Sequence, residues 1–254
     1  MRQDPVHAVI AVKHLDRAKS RLADRLPPGD RSRLVLAMLS DTVTAAVAAG
    51  LSSVTVVTPD PEVAATVRGL GATVHPDPAT GDAPRAADAR NGRIDSTRPG
   101  TAPDSGLNAA LIAGAAAVRE LHGGVDLLAL QADLPALRPE ELSDMLATAP
   151  AGRAIVADHA GRGTAALLVR DAASPLEPLF GGESARRHID SGAKDLAGDW
   201  PGLRLDVDTE ADLDRAVALG VGPATAEILR TIGWPTPVHR DLIRKYAANH
   251  MCAG

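Results

Sequence analysis

A chain of 254 residues with 45% hydrophobic side chains can bury a sizeable core and falls in the range of one large α/β domain. Its formal net charge of −5 argues against a general nucleic-acid binder, and an aromatic content of 2% argues against stacking platforms for single strands. One cysteine, Cys252, excludes an internal disulfide framework and a cysteine metal site and fits a reducing, cytoplasmic setting, and no run reaches the roughly 18 apolar residues of a membrane span.

The first element lies in "HAVIAVKHLDRAKSRL", residues 7–22. Val9, Ile10, Ala11 and Val12 read as a central strand, too short and too soon followed by charge for a signal peptide. Lys13, Arg17, Lys19 and Arg21 follow at once, and such a basic cluster on an acidic chain points to a small anionic ligand. "PPGDRSRLVLAMLSDTVTAAVAAG" predicts a helix with Asp30 as N-cap and Gly50 as its stop. "VTVVT" (54–58) predicts a second strand, "PDPEVAATVRGLG" a helix capped by Asp60 with Pro61 in its first turn, and "ATVHPD" a third strand. The order β, α, β, α, β implies right-handed crossovers and a largely parallel sheet with helices on its faces.

From Pro78 to Asp104 the only large aliphatic residue is Ile94, so this stretch reads as a flexible surface insertion. Order resumes with the helix "SGLNAALIAGAAAVREL" and the strand "LLAL", which ends at Gln131 and delivers Asp133 into the following loop. The helix "RPEELSDMLATA" comes next. "RAIVADHAGRGTAALLVR" predicts two antiparallel strands joined through Gly161 and Gly163, folded back over the sheet edge. "ESARRHIDSGA" predicts a helix, "LRLDV" a last strand, and "TEADLDRAVALG" a helix on which Thr209 and Asp212 form a capping-box-like pair. The remainder, from about Gly222, has room for two more helices around "WPTP".

In open α/β sheets, ligands collect at the carboxyl ends of the strands. Asp133 and the pair Asp206 with Asp208 arrive there and offer hard oxygen ligands to a divalent cation, while Lys13, Lys19 and Arg21 can neutralise a polyphosphate. That equipment suits nucleotidyl transfer, where catalysis is mainly positioning plus stabilisation of charge on the reacting phosphate. "FGGESARRHIDSG" adds a glycine-rich loop ahead of a helix start, with Ser184, Arg186 and Arg187 nearby, as a second anion site for an acceptor phosphate. Singly, each element has a plain structural explanation, whether solvated loop, turn or helix entry; their coincidence at one sheet edge carries the chemistry. The histidines, His188 among them, show no paired metal spacing and read as surface or packing residues.

Six ordered motifs, "VKHLDRAKSRL", "SGLNAAL", "LQADLPAL", "GRGTAALLV", "FGGESARRH" and "GLRLDVDTEADL", resemble the phosphoenolpyruvate/2-phospho-L-lactate guanylyltransferases of coenzyme F-420 biosynthesis, over roughly residues 7–224. The resemblance implies a three-layer α/β/α, nucleotide-diphospho-sugar transferase-like fold with a mixed, mostly parallel sheet, and the use of GTP with a magnesium ion. It implies a nucleotidyltransferase domain over residues 1–224, leaving 225–254 as a C-terminal helical extension or tail. Carried over by motif, Asp133, Asp206 and Asp208 are the metal-binding aspartates, and Thr164, Gly181 and Ser184 hold the acceptor's phosphate and carboxylate. Lys13, Lys19 and Arg21 face the triphosphate, counted with Asp133 as catalytic, and Asn108 meets the nucleoside. The implied reaction transfers GMP from GTP to phosphoenolpyruvate, releasing pyrophosphate and giving enolpyruvoyl-diphospho-guanosine; a candidate partner is the downstream deazaflavin transferase. An actinobacterial composition, rich in Ala, Arg and Gly, leans toward phosphoenolpyruvate over 2-phospho-L-lactate, and a non-catalytic nucleotide-binding protein is the alternative of another class. Unlike the related molybdopterin and sugar nucleotidyltransferases, the segment after the first strand has no glycine-rich loop.

Overall fold

The computed structural model describes residues 5–15, 19–80 and 105–235. Arg17, the body of the expected insertion (81–104), the second expected C-terminal helix and Cys252 lie outside the described residues.

The chain folds as β1 (Val6–Ala11), α1 (Pro28–Ala48), β2 (Ser53–Thr58), α2 (Pro61–Gly69), β3 (Thr73–Pro76), α3 (Ser105–His122), β4 (Asp126–Leu130), α4 (Pro139–Thr148), β5 (Gly152–Ala157), β6 (Thr164–Arg170), α5 (Ser184–Asp190), β7 (Lys194–Asp195), α6 (Glu210–Leu219) and α7 (Pro223–Thr231). Short 3₁₀ turns at Ser20–Leu22 and Pro78–Thr80 follow β1 and β3. One seven-stranded sheet runs in the order β3-β2-β1-β4-β6-β5-β7. All neighbours pair in parallel except β6, which is antiparallel to both β4 and β5. The strand order reverses beside β1 and β4, so the crevice at their carboxyl ends is the natural ligand position.

Alternation along β1 explains the three layers. Ala8 and Ile10 join an apolar cluster with α1, α2, α4, α6 and α7, while Val9 and Ala11 join a second cluster with α3, α5 and Phe180. The fold is therefore α/β/α with a mixed, mostly parallel sheet, as expected. On α3, Gly114 lies so close to the sheet that an added Cβ would come within 2.6 Å of both Val9 and Val57.

Local rules hold at several helix starts. Asp60 caps α2 by accepting from the Glu62 and Val63 amides, with Pro61 in the first turn. Thr209 and Asp212 form the expected capping box of α6. At α1 the start is shifted: Pro27 takes the N-cap position, and Asp30 sits inside the first turn, where its charge meets the positive helix end.

Two expectations are corrected. "LRLDV" is not a strand, because the segment pairs with no sheet neighbour; Leu203, Leu205 and Val207 are buried by alternation, and the segment is pinned by Val207 N–H donating to the Asp133 carbonyl and His159 N–H to the Arg204 carbonyl. The β5–β6 hairpin also does not fold over the sheet edge. Its β6 lies inside the sheet between β4 and β5, a placement its apolar sequence "TAALLV" tolerates on both faces.

Two adjacent residues of α1 tie distant segments together. Asp41, buried, accepts from the Ala224 and Thr225 amides at the start of α7. Thr42, also buried, accepts from Leu134 N–H in the loop after β4. α7 packs along α1 and buries Leu229, and the expected domain end after residue 224 falls within its first turn.

Candidate active site

The loop after β1 carries Lys19 in a left-handed conformation (φ 54°), and its side chain reaches the aspartates that follow β4 and precede α6. There the ammonium pairs with Asp133 and with Asp208 Oδ1 at 2.8 Å. Burial would weaken the ammonium, but the two carboxylates outweigh burial and hold it above its ordinary range. Arg21, largely exposed, reaches Asp208 Oδ2 at 4.0 Å. Asp208 in turn is lowered: burial opposes ionisation, and the charges of Lys19 and Arg21 prevail.

Asp133 and the Asp206–Asp208 segment meet because Val207 N–H donates to the Asp133 carbonyl at 3.1 Å. Alternation then turns Asp206 and Asp208 away from the buried Leu205 and Val207. Asp206 is the most perturbed acid here. Burial, with repulsion from Asp133, Asp208 and Asp158, raises it to about 7.

Lys13 does not join this cluster. It pairs with Asp77, a buried carboxylate after β3 that sequence reasoning missed. Its ammonium also passes 3.5 Å from where a Cβ on Gly106 would stand, so the glycine of "SGLN" gives it room.

Gln131, two residues before Asp133, links this half of the crevice to the other. Its amide donates to the Thr164 carbonyl at 3.2 Å. Thr164 and Ser184 are both buried, and the start of α5 meets the β5–β6 turn through Ala185 N–H donating to the Arg162 carbonyl. Gly181 (φ 123°) bends the loop ahead of α5 in a conformation L side chains rarely adopt. Helix α5 has only seven residues, so the hydroxyls and loop amides, rather than a helix dipole, are what this half offers an anion.

Asn108, expected to meet the nucleoside, is tied to the loop ahead of α5. Its Nδ2 donates to the Phe180 carbonyl at 3.1 Å and its Oδ1 accepts from Phe180 N–H at 2.9 Å, so both ends of the amide hold the glycine loop. His188 takes the packing alternative of the expectation: it is fully buried, and both ring nitrogens are hydrogen-bonded. The spacing of Ser184 and His188, four residues apart on one helical face beside buried Ala185, was the available signal.

Among the described residues, no three His, Cys, Asp or Glu side chains stand in metal-holding geometry, and the Lys19 ammonium lies between Asp133 and Asp208. The chemistry of the acids nevertheless fits a hard cation. Asp133 Oδ1 is buried without a hydrogen-bond partner among the described residues, and Asp206 is an acid crowded by three others.

One side of the crevice thus gathers cations and carboxylates. The other presents buried hydroxyls and a bent glycine loop. The protein from Nocardia farcinica named phosphoenolpyruvate guanylyltransferase is 61% identical over 96% of this chain and 99% of its own. One of that name from Rhodococcus erythropolis is 51% identical over 87% of this chain and 93% of its own. Among solved structures, a nucleotidyl transferase from Methanothermobacter shares the fold with a TM-score of 0.52 at 18% identity, covering 90% of this chain and all of that one. A Desulfovibrio desulfuricans protein described as a nucleotide-diphospho-sugar transferase aligns with a TM-score of 0.60 at 14% identity, over 96% and 99% of the two chains. The family described as "Guanylyl transferase CofC like" matches residues 102–243. The chain is a nucleotidyltransferase and belongs to that CofC-like guanylyl transferase family.

Proposed function

We propose that the protein transfers GMP from GTP to phosphoenolpyruvate, with release of pyrophosphate. The carrying observation is the pairing of two anion-handling surfaces across one crevice: the Lys19, Asp133 and Asp208 cluster, joined through Gln131 to the buried Thr164. The 61% identical relative of that name supports the choice of acceptor.

In the reaction, an oxygen of the acceptor phosphate forms a bond to the α-phosphorus of GTP as the bond to the pyrophosphate oxygen breaks. No protein nucleophile is needed, and holding two mutually repelling anions together is the main task. Lys19 and Arg21 line the polyphosphate side, with Lys13 at its margin, and screen the charge of the triphosphate. Thr164, Ser184 and the backbone at Gly181 hold the acceptor, and Asn108 fixes that loop through Phe180. Asp133, Asp206 and Asp208 would hold a divalent cation such as magnesium, the pairing of Lys19 giving way to it. When bound, the ion supplies charge neutralisation at the reacting phosphate. The product is an enolpyruvoyl-diphospho-guanosine, an activated phosphoanhydride suited to coenzyme F-420 assembly in the cytoplasm, with the downstream deazaflavin transferase as consumer.

The test is pyrophosphate release by the purified chain with GTP and magnesium, given phosphoenolpyruvate or 2-phospho-L-lactate in parallel, with Asp133→Ala as control. Release with phosphoenolpyruvate, lost in the variant, is the expected result. Release with 2-phospho-L-lactate alone would transfer the reading to that acceptor. GTP binding without release from either would replace the enzyme by a nucleotide-binding protein.

A further inference from the structure

His188 stands behind the acceptor side of the crevice and touches none of the reacting groups assigned above. It is fully buried on α5, edge-on to Phe180 with ring centroids 5.4 Å apart and an interplanar angle of 76°. Its Nε2 lies 2.9 Å from Leu179 N, and its Nδ1 lies 3.0 Å from Thr164 Oγ1.

The chemistry of these partners sets the position of the imidazole proton. A backbone amide can only donate, so Nε2 must present its lone pair to Leu179. The ring is neutral: burial, joined by Arg153 and Arg187, pushes it down to about 4, against a weaker upward pull from the Ser184 carbonyl. A neutral imidazole carries one proton, which therefore sits on Nδ1, facing Thr164 Oγ1. The Thr164 hydroxyl cannot give its own proton to a nitrogen already protonated. Among the described residues Oγ1 makes no other hydrogen bond, so that proton is left for a ligand. Buried Ser184 shows the same want, since its hydroxyl has no partner among the described residues.

We propose that His188 is a positioning residue that makes Thr164 an obligate hydrogen-bond donor to an anionic oxygen of the acceptor, by offering Nδ1–H to Thr164 Oγ1 while Leu179 N–H occupies Nε2. This rests on the placement of the acceptor at Thr164 made above. It also defines a preference: a carboxylate or phosphate oxygen at this point accepts the Thr164 proton in a charge-assisted hydrogen bond. An analogue that presents only a donor there, such as an ammonium, leaves the Thr164 proton without an acceptor and is disfavoured.

The first experiment is a long-range proton–nitrogen spectrum of the full-length protein labelled with nitrogen-15 at histidine, between pH 6 and 8. The His188 signals are identified by their loss in His188→Gln. A neutral Nδ1–H pattern across this range is expected, and an Nε2–H pattern overturns the proposal while leaving the acceptor site standing. The second is steady-state pyrophosphate release with phosphoenolpyruvate varied at saturating GTP, then the reverse. Thr164→Val is expected to raise the acceptor KM about 10- to 100-fold, as for a lost hydrogen bond to a charged group, with the GTP KM unchanged. His188→Gln keeps an acceptor oxygen near the Nε2 position and loses the Nδ1 donor, so it should raise the same KM, with no further rise when added to Thr164→Val. His188→Asn, which returns a donor near Nδ1, should recover part of the loss. Independent, multiplying effects of the Thr164 and His188 changes would overturn the proposal alone. An unchanged acceptor KM in Thr164→Val would overturn it together with the placement of the acceptor.

Discussion

Asp206→Asn tests the electrostatics of the carboxylate cluster without disturbing its shape. In the folded chain, burial and the neighbouring Asp133, Asp208 and Asp158 raise Asp206 from 3.8 to about 7. Its proton is thus bound more tightly in the fold than in the unfolded chain, by an amount with a ceiling of about 4 kcal/mol at roughly 1.4 kcal/mol per tenfold change in affinity. Between pH 4 and 7 the native state holds a proton that the unfolded state has released, so stability falls as pH rises through this window and levels off above it. Asparagine resembles the protonated acid. In chelator-treated protein at pH 8, Asp206→Asn should therefore be more stable than the parent by several kcal/mol, up to that ceiling, and the two should converge near pH 4. Urea denaturation followed by circular dichroism at pH 4, 5, 6, 7 and 8 measures this directly. Pyrophosphate release should be lost over the same series. A variant no more stable than the parent at pH 8, or parallel pH profiles for the two proteins, would refute the reasoning.

Asn108→Ala removes both hydrogen bonds to Phe180. It should raise the acceptor KM while leaving the GTP KM nearly unchanged, and cost about 1–3 kcal/mol of stability in a urea titration, as two hydrogen bonds of about 1 kcal/mol each predict. Gly202→Ala would drive its methyl group into the Ala136 carbonyl oxygen and to 2.7 Å from Glu141 Oε2, in the turn whose amides at Gly202 and Leu203 donate to Glu141. A destabilisation of about 1–3 kcal/mol is expected, read as a lower Tm, with turnover falling further because the same turn leads into Asp206.

The parallel half of the molecule was legible because its signals are local. Apolar runs of strand length, the Asp60 cap with Pro61 behind it, and the Thr209–Asp212 box each depend on residues within a few positions of one another. Asp133, Asp206 and Asp208 were legible by motif, and the structure brings them to one edge. The "LRLDV" segment misled because alternation reports which side chains are buried, and an extended segment pinned by isolated hydrogen bonds buries alternate residues as a strand does. The position of β6 depends on strand pairing between β4 and β6, across more than thirty residues of chain, which no local pattern encodes. The partners of Asn108, Asp77 and His188 escaped for the same reason. Each residue acts through a partner that the fold, not the neighbouring sequence, supplies: Phe180, Lys13 and Thr164 respectively.

Asp41 and Thr42 are neighbours on α1, yet one answers to the end of the described chain and the other to the loop of Asp133. The link is reinforced by Gly222 N–H, which donates to the Pro135 carbonyl in that same loop. Trimming the protein ahead of Pro223, a common step when a stable core is sought for crystallisation, would leave a buried carboxylate without the two amides that α7 supplies to it, one residue from the hydroxyl that steadies Leu134. Where a laboratory chooses to stop its expression clone is thus also a choice about the alignment of the reaction centre.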